Sequence, residues 1–307
     1  MNRGTRLVKL LSGFLLSALV FAPAAAVAAD AAGKAVSSAY QAEIMKWREK
    51  RQASLKTNWL TLVGLSWLKE GANRFGSDAK NEVVLPRDKA PAEAGVFELK
   101  NGTVTLHALP QAGVKIAGKP ATDAVLQPDA SGSPTVMEMG DLRMLVIKRN
   151  KRLGIRTRDL NSDHLRSFKG LEYFPIQDSY RVNASFVPFE KARQVAIPTM
   201  LGEDVEMSSP GYVEFILNGS KLRLEALVEE GDNELFFILK DQTSGKQTYP
   251  AGRFLYSDMP KGGKVVLDFN KAYTPPCGFT PYATCPLPPK ENYLKVAIEA
   301  GEMYAGH

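Results

Sequence analysis

Apolar and polar residues alternate along this chain in three distinct ways, and each predicts a different kind of element. Leu10 to Ala22 is almost wholly apolar, preceded by Arg3, Arg6 and Lys9 and followed by Ala26-Val27-Ala28. A basic start, a short apolar stretch and a small-residue site predict a secretory signal over 1–29, cut after Ala28 or Ala29. The stretch is too short for a good membrane span, and nothing later approaches that length. Between 34 and 56 the spacing changes. Val36, Tyr40, Ile44, Trp47 and Leu55 mark a helical stripe among Lys, Glu, Arg and Gln, so residues 30–57 are expected to carry one short N-terminal helix.

From Asn58 onward the pattern is that of short strands broken by Gly, Pro, Asn and Asp. Val83–Leu85, Val96–Leu99, Val104–His107, Val114–Ile116 and Leu142–Ile147 each have strand length, with Asn101-Gly102, Ala117-Gly118 and Ser131-Gly132 as turns. Leu160 to Pro175 loses the periodicity and reads as a junction. Beyond it, Tyr212–Leu217 and Leu222–Leu227 flank Asn218-Gly219, a hairpin by its turn chemistry. Glu234–Leu239, Gly252–Tyr256, Lys264–Phe269 and a last strand at Leu294–Ile298 follow. The proline-rich stretch 274–289 fits neither helix nor central strand, and must wrap a surface or line a cleft. The expectation is a mainly-β protein with two β-rich lobes, 58–160 and 161–307, the first a sandwich and the second an antiparallel sandwich or barrel.

Charge alters this picture only after the signal is removed. The chain holds 39 Lys+Arg and 33 Asp+Glu, and three bases leave with the signal, so the mature protein carries 36 against 33. A net charge of +3 gives no reason to invoke nucleic acid. No cysteine precedes Cys277, so no lipid anchor is expected, and the predicted location is the periplasm. In that oxidising compartment Cys277 and Cys285 are expected to form a disulfide, stabilising by about 2.5 kcal/mol on loop entropy.

Candidate chemistry is sparse. Gly64-Leu65-Ser66-Trp67-Leu68 breaks the hydrolase nucleophile pattern at its last position, and Ser66-Trp67-Leu68-Lys69 is a chance-level match to S-x-x-K. His107, His164 and His307 are scattered, and the two cysteines are eight apart, so neither a metal nor another cofactor is predicted. The most informative polar residues are arginines: Arg156, Arg158, Arg166, Arg181 and Arg253. A planar guanidinium suits carboxylate or phosphate. Ordinary ion-pair chemistry favours the plainer expectation that they pair with Asp159, Asp178 and Asp268 and tie the lobes together.

Two segments carry a family pattern. One runs from Trp59-Leu60-Thr61-Leu62-Val63-Gly64-Leu65 through Trp67 to Phe75-Gly76-Ser77-Asp78. The other comprises Gly252-Arg253-Phe254-Leu255, Leu267-Asp268-Phe269-Asn270 and the proline-rich run 275–292. With Arg156-Thr157-Arg158-Asp159 and Tyr180-Arg181-Val182, they resemble the bacterial family called domain of unknown function 1684, over about residues 47–302. That family implies no activity and transfers no catalytic residue. Within the first lobe, Asn73–Leu85 followed by Gly95-Val96-Phe97 is similar to the opening of a forkhead-associated sandwich. Ser77 stands where that family has its phosphate-reading Arg after Gly76, and 87–95 holds neither Ser nor His. No phosphothreonine peptide is therefore expected as a partner.

These readings converge on an exported envelope protein binding a small or polymeric ligand in a cleft of the second lobe. Its candidate residues are Arg156, Arg158, Asp159, Arg181, Arg253, Asp268, Asn270, Tyr273, Tyr282, Glu291 and Asn292. Two alternatives stay open: a hydrolase using an acidic pair such as Asp268 and Glu291, and a structural partner in an envelope complex.

Overall fold

The computed structural model describes residues 36–304 and 306, so the expected signal lies outside the described residues. The helical stripe folds as α1 (Ser38–Asn58), opened by the Ser37 hydroxyl accepting the Tyr40 amide. That cap sets the start a turn later than the apolar spacing suggests. Tyr40, Ile44, Arg51 and Leu55 form the buried face. Among the described residues, no helix is long and apolar enough to cross a membrane.

The first lobe holds β1 (Leu62–Trp67), β2 (Gly71–Gly76), β3 (Val83–Val84), β4 (Gly95–Lys100), β5 (Thr103–Ala108), β6 (Lys115–Ile116), β7 (Lys119–Pro120), β8 (Asp123–Leu126), β9 (Met137–Met139), β10 (Leu142–Arg149) and β11 (Arg152–Asp159). They form two sheets, β1-β11-β10-β9-β6-β7 and β3-β2-β4-β5-β8. Inward residues of both build one core around Phe75, Phe97, Leu106, Met137, Met144 and Ile155. Phe75 and Phe97 stack at 4.4 Å between centroids. The short helix α2 (Asp163–Ser167) sits in the junction.

The second lobe comprises β12 (Arg181–Pro198), β13 (Asp204–Leu217), β14 (Ser220–Val228), β15 (Glu234–Leu239), β16 (Arg253–Asp258) and β17 (Lys264–Asp268). Their order is β16-β15-β14-β13-β12-β17, and the two edge strands approach each other, so the sheet nearly closes into a barrel. Phe215, Phe237, Leu255, Leu267 and Phe269 fill it. At the start of β16, Gly252 has φ +102°, and a Cβ there would lie 2.5 Å from the Leu239 carbonyl oxygen. Only glycine lets the chain turn that tightly beside β15.

Two of the departures from expectation have a clear physical cause. The sequence pattern concealed β12, because Pro188 and the polar run 190–194 interrupt its alternation. The structure absorbs them in a register shift between Pro188 and Arg193, as a bulge does. Leu294–Ile298 buries its two end residues but is not a strand. Its backbone is held by the Asp241 and Arg253 side chains, and Leu294 and Val296 pair with Lys240 and Gln242. The lobes meet through Arg152–Glu203 at 2.9 Å, Asn150 to the Asp204 carbonyl at 3.2 Å, and Arg149 to Thr284 Oγ1 at 3.3 Å.

Candidate functional site

The structure scatters the sequence-predicted residues over several unrelated environments. Arg253 is fully buried, its Nη2 pairing with Asp241 at 2.7 Å and its guanidinium donating to the Ile298 and Ala300 carbonyls. Asn292 accepts the Glu225 amide at 2.7 Å and donates to the Glu225 and Ile238 carbonyls. It thereby knits β14 to β15, which pair directly only at Leu227 and Phe236. Asp268 accepts the Tyr40 hydroxyl at 2.7 Å, and Asn270 donates to the same oxygen at 3.0 Å, fastening α1 to the barrel. Burial, reinforced by Asp268, pushes the Tyr40 phenol up.

The expected arginine pairing is corrected. Asp159 pairs with Lys89 at 3.4 Å, and Asp268 has Lys271 at 3.7 Å. Asp178 joins none of these arginines in an ion pair among the described residues. Arg181 lies over the Tyr40 ring at 4.9 Å, and Arg158 is half-buried with Nε unpaired. Lobe-to-lobe ion pairing falls instead to Arg152. Glu291 is exposed on a 3-10 turn packed against β14, and it shares no hydrogen-bonding partner with Asp268. Tyr282 is half-buried within the proline-rich run.

Arg156 and Tyr273 do come together. Both line a cavity of about 1160 Å³ bounded by α1, the end of the β10–β11 hairpin, the tip of β12–β13, the β14–β15 turn and the proline-rich segment. Its apolar wall is the outer face of the barrel, where Phe254, Tyr256 and Tyr273 pack with Trp59, Ile197 and Cys285. Trp47 meets Tyr273 at 6.2 Å, and the Tyr256 and Tyr273 rings lie parallel at 6.5 Å. The alternation of β15 and β16 builds this wall: one face fills the barrel while the other presents aromatics to the cavity.

Charge divides the cavity between two sides. Lys50, Arg51, Lys148, Arg149 and Arg156 come from α1 and the hairpin, whereas Glu203, Glu206, Glu229, Glu230, Asp232 and Glu234 come from the second lobe. Glu229 accepts the Tyr256 hydroxyl, whose pKa is pushed up chiefly by burial. Arg51 pairs with the buried Glu302 at 3.2 Å and lies 4.5 Å from the Tyr273 ring centre. Burial also raises the Glu302 carboxyl, a shift that Arg51 opposes.

The expected disulfide is absent. Cys277 and Cys285 are free thiols side by side, with the Cys277 amide donating to Cys285 Sγ at 3.2 Å. Their mutual hydrogen bond lowers the Cys277 thiol and raises that of Cys285. Sequence reasoning missed Trp47, Trp59, Tyr256, Arg149 and Thr284. The proline-rich run next to an aromatic-rich β16 was the available signal; Arg253, Tyr273 and Tyr282 were drawn from it, and of these three Tyr273 lines the cavity. Among the described residues, no group of three or more His, Cys, Asp or Glu could hold a metal.

Fold and cavity together define a mainly-β protein of two lobes, with an aromatic and arginine-bearing cleft between them. Residues 166–303 match the model of the family described as Protein of unknown function (DUF1684). That span begins at the end of the junction helix and takes in the strands of the second lobe, and leaves the Trp59–Asp78 pattern outside it. Among solved structures, the chain is similar to an uncharacterized protein of Haloarcula marismortui determined by solution NMR. The two are 32% identical over 46% of this chain and 80% of that one, with a TM-score of 0.40. Another match is a structure described as an analysis of phosphothreonine-dependent FHA domain interactions, 18% identical over 32% of this chain and 96% of that one, with a TM-score of 0.23. No curated protein matches.

Proposed function

We propose that this is an exported envelope protein that binds a small or polymeric ligand in the cleft between its lobes. The observation that carries the reading is the cavity itself. At about 1160 Å³ it is large enough to take a sizeable organic group, and its wall of Trp59, Phe254, Tyr256 and Tyr273 offers apolar contact area. Rigid aromatics lose little side-chain freedom on binding, so such a wall suits recognition. Asp268 and Glu291 lie in separate environments, so an acidic-pair hydrolase has no geometric support.

Trp47 and Trp59 line the cavity and Trp67 does not, so fluorescence in a Trp67→Phe background reports on the cleft. The neutral dye N-phenyl-1-naphthylamine is expected to quench it saturably at about one equivalent, with micromolar affinity on the order of 8 kcal/mol. Linear, unsaturable quenching would reject the cleft as a binding site.

Export has its own test, and the signal pattern of residues 1–29 supports it. Intact mass of protein recovered from the periplasm without reductant should correspond to a chain starting at Ala29 or Asp30. An intact Met1 sinks the export proposal.

A further inference from the structure

Among the candidate residues, Arg156 is the one that is both deeply buried and without a hydrogen bond or ion pair to any described residue. It sits mid-strand on β11, opposite Leu65 and Leu145, with 6% of its surface exposed. Its guanidinium makes no hydrogen bond or ion pair with any described residue, and its buried Nε has no partner. Its ring contact is with Trp59, 5.9 Å from the guanidinium carbon to the centroid. Arg149, a basic residue that repels it, is already held by Asp129 at 2.8 Å and Thr284 at 3.3 Å. The other buried arginines of the second lobe and α1 are matched: Arg253 has Asp241, and Arg51 has Glu302. An unpaired buried charge is among the least favourable arrangements a fold can hold, and it is rare unless a ligand supplies the counter-charge.

We infer that Arg156 is the anchor for an anionic head group, a carboxylate or a phosphate, on the ligand whose apolar body rests on the aromatic wall. The inference rests on the cleft reading above and adds the ligand's chemistry to it. The geometry suits the assignment. Arg156 enters the cavity from the β10–β11 hairpin, over the Trp59 ring, while the acidic lining residues come from the second lobe. Planar guanidinium binds either oxyanion through paired hydrogen bonds. Burial, with Arg149 repelling it, brings the Arg156 pKa down to about 10, so the side chain is still cationic at neutral pH. The shift registers how poorly solvated the charge is.

Three probes with one ring system separate the possibilities: 1-naphthyl phosphate, 1-naphthoate and the neutral 1-naphthalenemethanol, followed by cleft tryptophan fluorescence. At least one anionic probe should bind tenfold or more tighter than the alcohol, and which one identifies the head group. In Arg156→Met the advantage should vanish while the alcohol binds as before. The ligand-free variant should melt at or above the wild-type temperature, because an unmatched buried charge has been removed. If Arg156→Met fails to fold, Arg156→Gln serves for the same comparison. Equal affinity of all three probes for the wild type, or an anion preference that survives both substitutions, overturns the anchor and leaves the cleft standing. Failure of every probe, with no saturable binding of the neutral dye either, takes down both readings.

Discussion

Arg253→Met is expected to destabilise the protein by about 3–5 kcal/mol, the usual cost of removing one partner from a buried ion pair. Arg253 and Asp241 are both wholly buried, so loss of the guanidinium leaves a carboxylate with no solvent to reach. The Ile298 and Ala300 carbonyls lose their donor at the same time. Asp241 would retain the Thr243 amide and hydroxyl, at 2.8 and 2.6 Å, which soften the loss without neutralising the charge. Urea denaturation measures the effect through the midpoint at unchanged slope. Hydrogen exchange should show the 294–300 segment opening first, because the pair holds it against the barrel. A loss below about 1 kcal/mol would mean that the pair contributes little to the fold.

Asn270→Ala should cost about 3 kcal/mol, with the damage concentrated at α1. The Asn270 amide donates to Tyr40 Oη and the Gln177 carbonyl, while its oxygen accepts the Gln177 amide at 3.0 Å. All these atoms are buried or partly so, and alanine replaces none of them. Tyr40 would keep its bond to Asp268, so the helix should loosen without the barrel losing its core. Limited proteolysis should accordingly cut near Ser38–Asn58 sooner in the variant, and Tyr40→Phe should reproduce part of the effect. Unchanged stability and unchanged proteolysis would return Asn270 to the list of binding residues. This prediction separates the structural role seen here from the ligand role that its neighbourhood in sequence suggested.

The contrast between Arg156 and Arg253 shows where sequence and structure each decide. Both are isolated arginines beside apolar residues on strands, and nothing local distinguishes them. Arg253 finds its partner twelve residues upstream, at Asp241, and its carbonyls forty-five and forty-seven residues downstream. Arg156 finds no counter-charge, because the acids expected to pair with it are engaged by Lys89 and Lys271 or lie elsewhere. Ion-pair choice depends on distances of a few ångströms between segments far apart in the chain, and composition cannot supply them.

The sequence by itself determined the local elements and the class of fold. Helical spacing placed α1, turn chemistry at Asn218-Gly219 placed the β13–β14 hairpin, and alternating apolar residues placed most of the strands, because those signals depend only on neighbours within a few residues. Proline content correctly barred 274–289 from a sheet, since proline withholds the amide a ladder needs. Tertiary structure alone decided the rest. It carried β12 across Pro188 by a bulge, and it ended the backbone pairing of Leu294 and Val296 at Ile298, whose amide and carbonyl go to the Asp241 and Arg253 side chains. It also gathered Trp47, Trp59, Arg156, Tyr256 and Tyr273, from a helix, both lobes and a loop, around one cavity. A cavity is the space left between elements, so its lining is set by how they pack, which no short window of residues records.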